Sequence, residues 1–526
     1  MSYLKQHLGT PIPQSKPLNK RQVRNDAGGY VYPVDIWARF HRFIIIGAEG
    51  GTYYAKQEDI IERNIDSVKA CLAEDGMRVV KETIEISKAG RAVKNDPAIL
   101  VMALASMHPD AAVRNKVFDH LSDVCRIGTH LFQFAEFRKL LKAGWGRGMR
   151  TAIASWFLMK EPEAVAFQVA KYQQRNGWSM RDLLRKAHPE PPDATYAKIF
   201  KYVVSGEISK GLPPFLMAVE EAKSADKKTL LKLITEHRLP RECLPTEFLK
   251  DPDIWAAMLP SMGMDAMLRN LGNMSKIGLL AQFSDATKLV CEKFGDVETL
   301  RKSRLHPIKI LVGYLTYKSG HGNRGSGEWA VVPQVVDALD DAFYASFKNV
   351  VPSGKRIMMA CDVSGSMGHP DLMGIPGLSP MVAGAAMAMV TVKTEKNVFL
   401  MAFSERLIPT DISKYSRLDQ VVAEFERMGH VGTDAAAPMI YAAERKMPVD
   451  SFMMYTDNES WRGGVHPSEA LVDYRKKMGI ESTFVSAAMT ATEYSVSDPN
   501  DPLALSMVGF DTETPGVMSA FAAGRL

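Results

Sequence analysis

The sequence predicts a multidomain protein in which a long α-helical repeat body precedes a doubly wound α/β domain. Three observations carry this. At 526 residues the chain is too long for one hydrophobic core. From about Asp35 to Ala345 the apolar residues recur mainly at helical spacing. Beyond Gly354, short apolar runs alternate with helical segments, the pattern of βαβ units under a parallel sheet.

The first 30 residues carry Pro11, Pro13 and Pro17 among lysines and arginines, with little periodic pattern, and read as an extended arm laid on the surface. Residues 31–350 form the helical body. Asp59 to Ala73, Val117 to Cys125, Pro162 to Gln174 and Ser179 to Ala187 are its clearest helices, and Lys142-Ala-Gly144 and Asn176-Gly177 are stop signals. So many short helices do not pack around one centre, so stacked helix pairs are expected, although no sequence period stands out. Residues 351–526 form the α/β domain. Arg356 to Cys361, Asn397 to Phe403, Ser451 to Tyr455 and Ser482 to Ser486 read as strands. Met381 to Thr394, Asp434 to Arg445 and Pro467 to Met478 read as helices between them.

Composition excludes several classes. Apolar content of 46% and charged content of 24% are those of an ordinary globular chain. The most apolar stretch, Met381 to Val392, is shorter than the roughly 20 residues needed to span a bilayer, and the start lacks a signal-peptide run. A cytoplasmic protein without membrane contact is the expectation. The five cysteines (Cys71, Cys125, Cys243, Cys291 and Cys361) are scattered and form no CxxC pair, so neither a disulfide framework nor a zinc site is expected. Net charge is +5 overall but unevenly placed: 50 Lys+Arg against 39 Asp+Glu in residues 1–350, and 15 against 21 thereafter. A basic body joined to an acidic domain points to a polyanion partner for the body; an unevenly solvated surface is the plainer alternative.

The most specific motif is Asp362-Val-Ser364-Gly-Ser366, directly after the first apolar strand of the α/β domain. In a doubly wound sheet, ligands sit beyond the carboxyl ends of the strands. Thr433, in the loop His430-Val-Gly-Thr-Asp434, and Asp457, at the end of a later strand, supply two more oxygen donors at corresponding places. This set resembles the metal-ion-dependent adhesion site of von Willebrand factor A-type domains. One divalent cation, Mg²⁺ ahead of Mn²⁺ or Ca²⁺, is expected on Asp362, Ser364, Ser366, Thr433 and Asp457. Hydroxyl ligands add no charge, which would leave the ion able to accept an acidic group from a protein ligand. Capping and turn roles are the plainer reading of each motif alone. An aspartyl nucleophile at Asp362 would need a second acid and a base beside it, and Ser364 and Ser366 are neither.

In the body, Lys171 and Arg175 stand i, i+4 on the predicted helix through Gln174, and Arg181 and Arg185 repeat that spacing after a capping-box-like Ser179 to Asp182 start. Lys139, Lys142, Arg147 and Arg150 precede them, and His188-Pro189 closes the second helix. Stacked repeats would align these cations for a phosphate backbone; a solvated charged face has the same pattern.

Several stretches resemble the TROVE module of the Ro autoantigen family. They are Phe40 to Tyr54, Val124 to Phe132, Lys171 to Ser179, Met267 to Gly272, His306 to Leu315 and Thr316 to Gly322. The likeness runs from about Pro17 to the A-type domain, and a bacterial member is expected. The resemblance implies a monomeric closed ring of HEAT-like helical repeats whose two ends the A-type domain joins. It implies no catalysis. It implies small non-coding Y RNA on a basic outer face and single-stranded 3′ ends of structured or misfolded RNA in a central hole, in RNA quality control and turnover. It also implies a link through Y RNA to an exoribonuclease, polynucleotide phosphorylase. Matched residue by residue, it makes Lys171, Arg175 and His188 RNA contacts. Trp145, Trp156 and Trp178 could stack on bases, but core packing is the expected role of each.

Other signals are set aside. Gly320-His-Gly-Asn-Arg-Gly325 spells G-x-G-x-x-G but neither follows a strand nor opens a helix. His41, His108, His120 and His130 have no metal-ligand spacing, and the 30 methionines read as packing.

Overall fold

The computed structural model describes residues 11–48, 55–322, 327–347, 350–369, 371–428, 432–509 and 511–525. Residues 1–10 of the arm, Glu49 to Tyr54, Asn323 to Gly325 of the glycine-rich turn, and His430 and Val431 before Thr433 lie outside them.

The α/β domain is built on strands β5 (Arg356–Asp362), β6 (Asn397–Phe403), β7 (Leu407–Pro409), β8 (Ser451–Thr456), β9 (Thr483–Ala488) and β11 (Ala504–Val508). Their order is β11-β9-β8-β5-β6-β7. The first five are mutually parallel, but β7 runs antiparallel to β6. The sheet is therefore mixed at one edge, where the sequence reading expected parallel strands throughout. Only residues 404–406 separate β6 from β7, enough for a hairpin and far too few for a crossover helix. Strand β5 is buried on both faces. Ile357, Met359 and Cys361 share a core with helices Pro380–Thr394, Leu418–Arg427 and Thr514–Ala522, while Met358 and Ala360 join helices Ala437–Glu444 and Pro467–Met478. That double burial is why its sequence is one continuous apolar run.

The body is a succession of packed helix pairs. Helix Ile36–Ile46 packs on Gln57–Ala89, which packs on Asp96–Ala105, and that on Gly128–Leu140. The run continues through Pro162–Lys171, Pro214–Ala222, Lys227–His237 and Pro252–Met258, and ends with Met264–Lys276, Asp285–Gly295, Pro307–Ser319 and Pro333–Ala345. The predicted helix 59–73 extends to Ala89 past a kink at Asp75, and the predicted helix 117–125 is two short helices broken at His120.

The body closes on itself. The His306 imidazole lies 3.1 Å from the carbonyl oxygen of Arg91, so the late helices touch the early ones. Both ends also meet the α/β domain. At one end Arg91 pairs with Asp511, and the buried Arg42 donates to the carbonyls of Thr492 (2.6 Å) and Tyr494 (2.7 Å). At the other, the Tyr314 hydroxyl donates to Asp419 at 2.6 Å and Arg417 pairs with Asp337 at 2.6 Å.

The arm differs from the expectation of a surface strap. Gln14, Gln22 and Asn25 are buried, and strands β1 (Val23–Arg24), β2 (Tyr30–Pro33) and β10 (Tyr494–Ser495) form a small sheet that ties it to the α/β domain. Its prolines do prevent regular structure, but its amides satisfy buried polar groups across the fold, which no local pattern encodes.

Candidate metal centre and nucleic-acid interface

Strand β5 delivers Asp362 to the carboxyl edge of the sheet, and β8 delivers Asp457 just beyond its own end. The loop after β5 folds back so that the Ser364 amide donates to Asp362 Oδ1 at 2.9 Å. Ser364 Oγ and Ser366 Oγ then stand 3.2 Å apart. Thr456 donates its hydroxyl to Asp362 Oδ2 at 2.7 Å, and the Glu459 amide donates to Asp457 Oδ1 at 2.9 Å. Asp362, Ser364, Ser366, Thr433 and Asp457 are all at least 97% buried. The structure thus buries all five sequence-predicted donors, with Asp362, Ser364 and Ser366 in one hydrogen-bonded loop and Thr433 in the loop that meets Ser460, three residues past Asp457.

Two features bear on what these residues could hold. Among the described residues the buried Thr433 hydroxyl has no hydrogen-bond partner. Burial, reinforced by the facing Asp457, pushes the Asp362 carboxyl up to about 7, and burial raises Asp457 as well. Two desolvated carboxylates facing each other form a site that a cation would stabilise. An all-oxygen set of two carboxylates and three hydroxyls fits a hard ion such as Mg²⁺. Among the described residues no group of three or more His, Cys, Asp or Glu is placed for a metal, which leaves this hydroxyl-rich set as the candidate.

Sequence reasoning missed the support beneath these loops. Gln14 Nε2 donates to Asp434 Oδ1 and to the Val465 carbonyl, each at 2.8 Å, and the Ser460 hydroxyl bonds its side-chain oxygen. Asn25 donates to the Ser460 carbonyl at 3.0 Å, and the Ala27 amide donates to Glu459 at 3.0 Å. A Cβ on Gly29 would sit 2.0 Å from the Ser460 carbonyl oxygen, so the arm seats only because that residue is glycine. Partners more than 400 residues apart in the chain leave no local motif to read.

On the body, helix Gly128–Leu140, helix Arg147–Leu158, the hairpin of β3 (Gln174–Arg175) and β4 (Trp178–Ser179), and helix Met180–Ala187 pack together. They and the loop and cap residues between them carry eight of the nine predicted cations, while Lys171 ends helix Pro162–Lys171. One expectation fails: helix Pro162–Lys171 stops at Lys171, so Lys171 and Arg175 do not share a helical face. Asn176 (φ 52°) and Gly177 (φ 74°) are both left-handed, the backbone of a two-residue hairpin turn rather than of a helix stop. Arg175 therefore projects from a hairpin, while Lys171 lies over the rings of Phe167 and Tyr172. The capping box between Ser179 and Asp182 forms as expected, which places Arg181 and Arg185 on one helix, and His188 ends it in the left-handed region.

Lys139, Lys142, Arg147, Arg150, Arg175, Arg181, Arg185 and His188 are exposed, and Lys171 is half-buried. Lys139 pairs with Glu136 at 3.3 Å. Among the described residues the other eight have no carboxylate within ion-pair distance. Trp156 and Trp178 are buried and Trp145 is half-buried, its ring centroid 5.5 Å from that of Trp178, so packing is their main role. Arg138, by contrast, is 93% buried and is no part of the exposed face.

Comparison with known proteins settles the family. The TROVE domain model matches residues 23–238 and 236–315, and the model of the Ro60 vWA domain matches residues 356–522. The chain belongs to the Ro60 family. It is 39% identical to the RNA-binding protein RO60 of Deinococcus radiodurans, over 98% of both chains. It is 31% identical to the RNA-binding protein RO60 of Caenorhabditis elegans, over 98% of this chain and 92% of the other. The crystal structure of the D. radiodurans RO (RSR) protein superposes with a TM-score of 0.70 at 38% identity, covering 94% of this chain and all of that one. The Ro60 architecture, a helical-repeat body closed through an A-type domain, is thus the architecture of this chain. Both curated relatives are named as RNA-binding proteins. Among the described residues no helix is long and apolar enough to cross a membrane.

Proposed function

We propose that this Ro60-family chain is a non-catalytic RNA-binding ring. It holds small non-coding Y RNA on the basic face built from residues 139–188 and takes single-stranded 3′ ends of structured or misfolded RNA into its central hole. The observation that carries this reading is the set of eight neighbouring cations that, among the described residues, have no carboxylate partner. Surface cations left without counter-charge across four packed elements form a strip of positive potential suited to phosphates, which dominate nucleic-acid affinity. Shape and phosphate contacts hold RNA duplex, and a basic funnel threads a strand with little sequence preference. In this reading the protein acts in RNA quality control in the cytoplasm, and bound Y RNA links it to polynucleotide phosphorylase or another exoribonuclease.

In the same proposal Asp362, Ser364, Ser366, Thr433 and Asp457 hold one divalent cation, Mg²⁺ by preference. Bound there, the ion would supply a positive coordination position for an acidic group. The orphaned Thr433 hydroxyl supports this assignment. It also supports a second reading, in which the primary task is gripping an acidic protein ligand.

Fluorescence-anisotropy titration of a hairpin RNA separates the two. The Lys171→Ala/Arg175→Ala/His188→Ala variant should bind about tenfold or more weakly. The slope of log affinity against log salt should shrink by about 0.7–0.9 for each phosphate that the variant no longer neutralises. Asp362→Ala should bind RNA like the parent. The reverse pattern would make adhesion the primary task. Labelled RNA incubated with protein and Mg²⁺ should remain full length.

A further inference from the structure

A cleft of about 430 Å³ opens between helix Ala111–Asp119, the loop 141–146 and the start of helix Arg147–Leu158. Its volume falls within the roughly 300–1,000 Å³ typical of small-molecule sites. Two arginines line it, Arg114 and Arg138, together with the ring of Phe118 and the side chain of Met149.

Arg138 is 93% buried, yet among the described residues no carboxylate pairs with it. Its guanidinium bonds only neutral oxygens, the Ser106 hydroxyl and the Gly144 carbonyl (2.8 Å), and it lies over Phe118 at 5.8 Å from the ring centroid. Two of its five donors are thereby used. Among the described residues Arg114 likewise bonds only the carbonyls of His108 and Pro109, both at 2.6 Å. A desolvated cation without a counter-charge is costly to the fold, so the buried Arg138, with the half-buried Arg114 in the same cleft, marks a place for an anion.

The backbone adds to this. Helix Arg147–Leu158 has Gly146 as its N-cap and so has no side-chain cap, which leaves its first amides without an intrahelical partner. Gly146 and Gly148 line the cleft, so this positive helix end faces it. A Cβ on Gly148 would lie 2.9 Å from the Phe118 ring, so glycine there lets the helix start approach the ring. Lys142 and Arg147, both exposed, flank the loop in sequence and connect the cleft to the basic face.

We propose that this cleft is a nucleotide pocket. It takes one phosphate on Arg114, Arg138 and the amides that open helix Arg147–Leu158, with the attached base against Phe118 and Met149. The phosphate is either that of a free mononucleotide or that of one residue turned out of a bound RNA. The second source rests on the RNA-binding reading above.

The test uses the full-length protein and two variants. Gly146→Asp places a favoured N-cap side chain where a Cβ meets nothing within 4 Å, so the helix should hold while its amides are covered and a negative charge faces the cleft. Arg114→Gln removes one cation from a half-buried position. Adenosine 5′-monophosphate, adenosine and a single-stranded RNA oligomer are each titrated by calorimetry, with thermal melts as the folding control. The pocket is supported if the monophosphate binds saturably, adenosine binds at least tenfold more weakly, and both variants lose about ten- to a hundredfold while melting like the parent. It is also supported, with RNA as the source, if only the oligomer binds and both variants weaken it. Parent-like binding of every ligand by both variants would overturn it, as would failure of the parent to bind the monophosphate when the oligomer is unaffected by either change. If the parent binds the monophosphate but no RNA, the pocket stands and the RNA reading falls.

Discussion

His130 and Arg42 show how single side chains carry charge or its absence into the interior. Burial, aided by the nearby Arg126, lowers the His130 imidazole to about 4, so it is neutral in the folded protein at pH 7. The unfolded chain, with an imidazole near 6.5, binds the proton more readily between those values. Stability therefore should be complete above about pH 6.5 and fall as pH drops toward 4. Denaturant titrations across that window should lose roughly 1–2 kcal/mol through this group. His130→Gln should flatten that part of the profile, and an unchanged profile would refute the assignment. Arg42 is also 99% buried, and burial lowers it to about 10, but it spends its donors on carbonyls of the α/β domain. It is a strut rather than a ligand site, because its acceptors belong to the fold itself. Arg42→Met would strand those acceptors at about 1–3 kcal/mol each, measurable as a drop in denaturation midpoint.

At the scale of elements, the hairpin between Lys171 and Met180 decides how the basic face is presented. Gly128 makes it possible: a Cβ there would fall 2.2 Å from Met180 Cε and 2.9 Å from Tyr172 Cβ. Gly128→Ala should therefore shift the hairpin and weaken RNA binding about as much as Lys171→Ala, although it removes no charge. RNA affinity equal to the parent would contradict that. The same hairpin shows where sequence reading stops. The exposed cations of the proposed interface could be named from the sequence, because residue type does not depend on backbone detail. The i, i+4 relation of Lys171 and Arg175 was not legible, since Asn-Gly ends a helix or turns a hairpin and only the pairing of Gln174 with Ser179 decides. Strand β7 escaped for a related reason: three residues are too few to show a period. The placement of Asp362 and Asp457 at the carboxyl edge of the sheet was legible, because the ends of neighbouring parallel strands converge by topology.

For the whole molecule, the first described residues complete the last domain. Gln14 ties the loop of Asp434 to those of Ser460 and Val465, which adjoin Thr433 and Asp457. Gln14→Ala should lower both the thermal midpoint and the apparent affinity for Mn²⁺, read by paramagnetic relaxation of water protons. An unchanged Mn²⁺ titration would show that the arm supports the fold without supporting the site. The closure of the body through His306 and Arg91, and of both its ends through the α/β domain, predicts one rigid frame for RNA. A closed frame of helices should admit a single strand and exclude a duplex from its centre. The direct measurement is a gel-shift titration of one hairpin RNA with and without a single-stranded 3′ tail, using the parent and the Lys171→Ala/Arg175→Ala/His188→Ala variant. The account predicts that the tail tightens binding and that the triple change removes the tail-independent part. Equal binding of tailed and blunt hairpins, undiminished by the triple change, would contradict it.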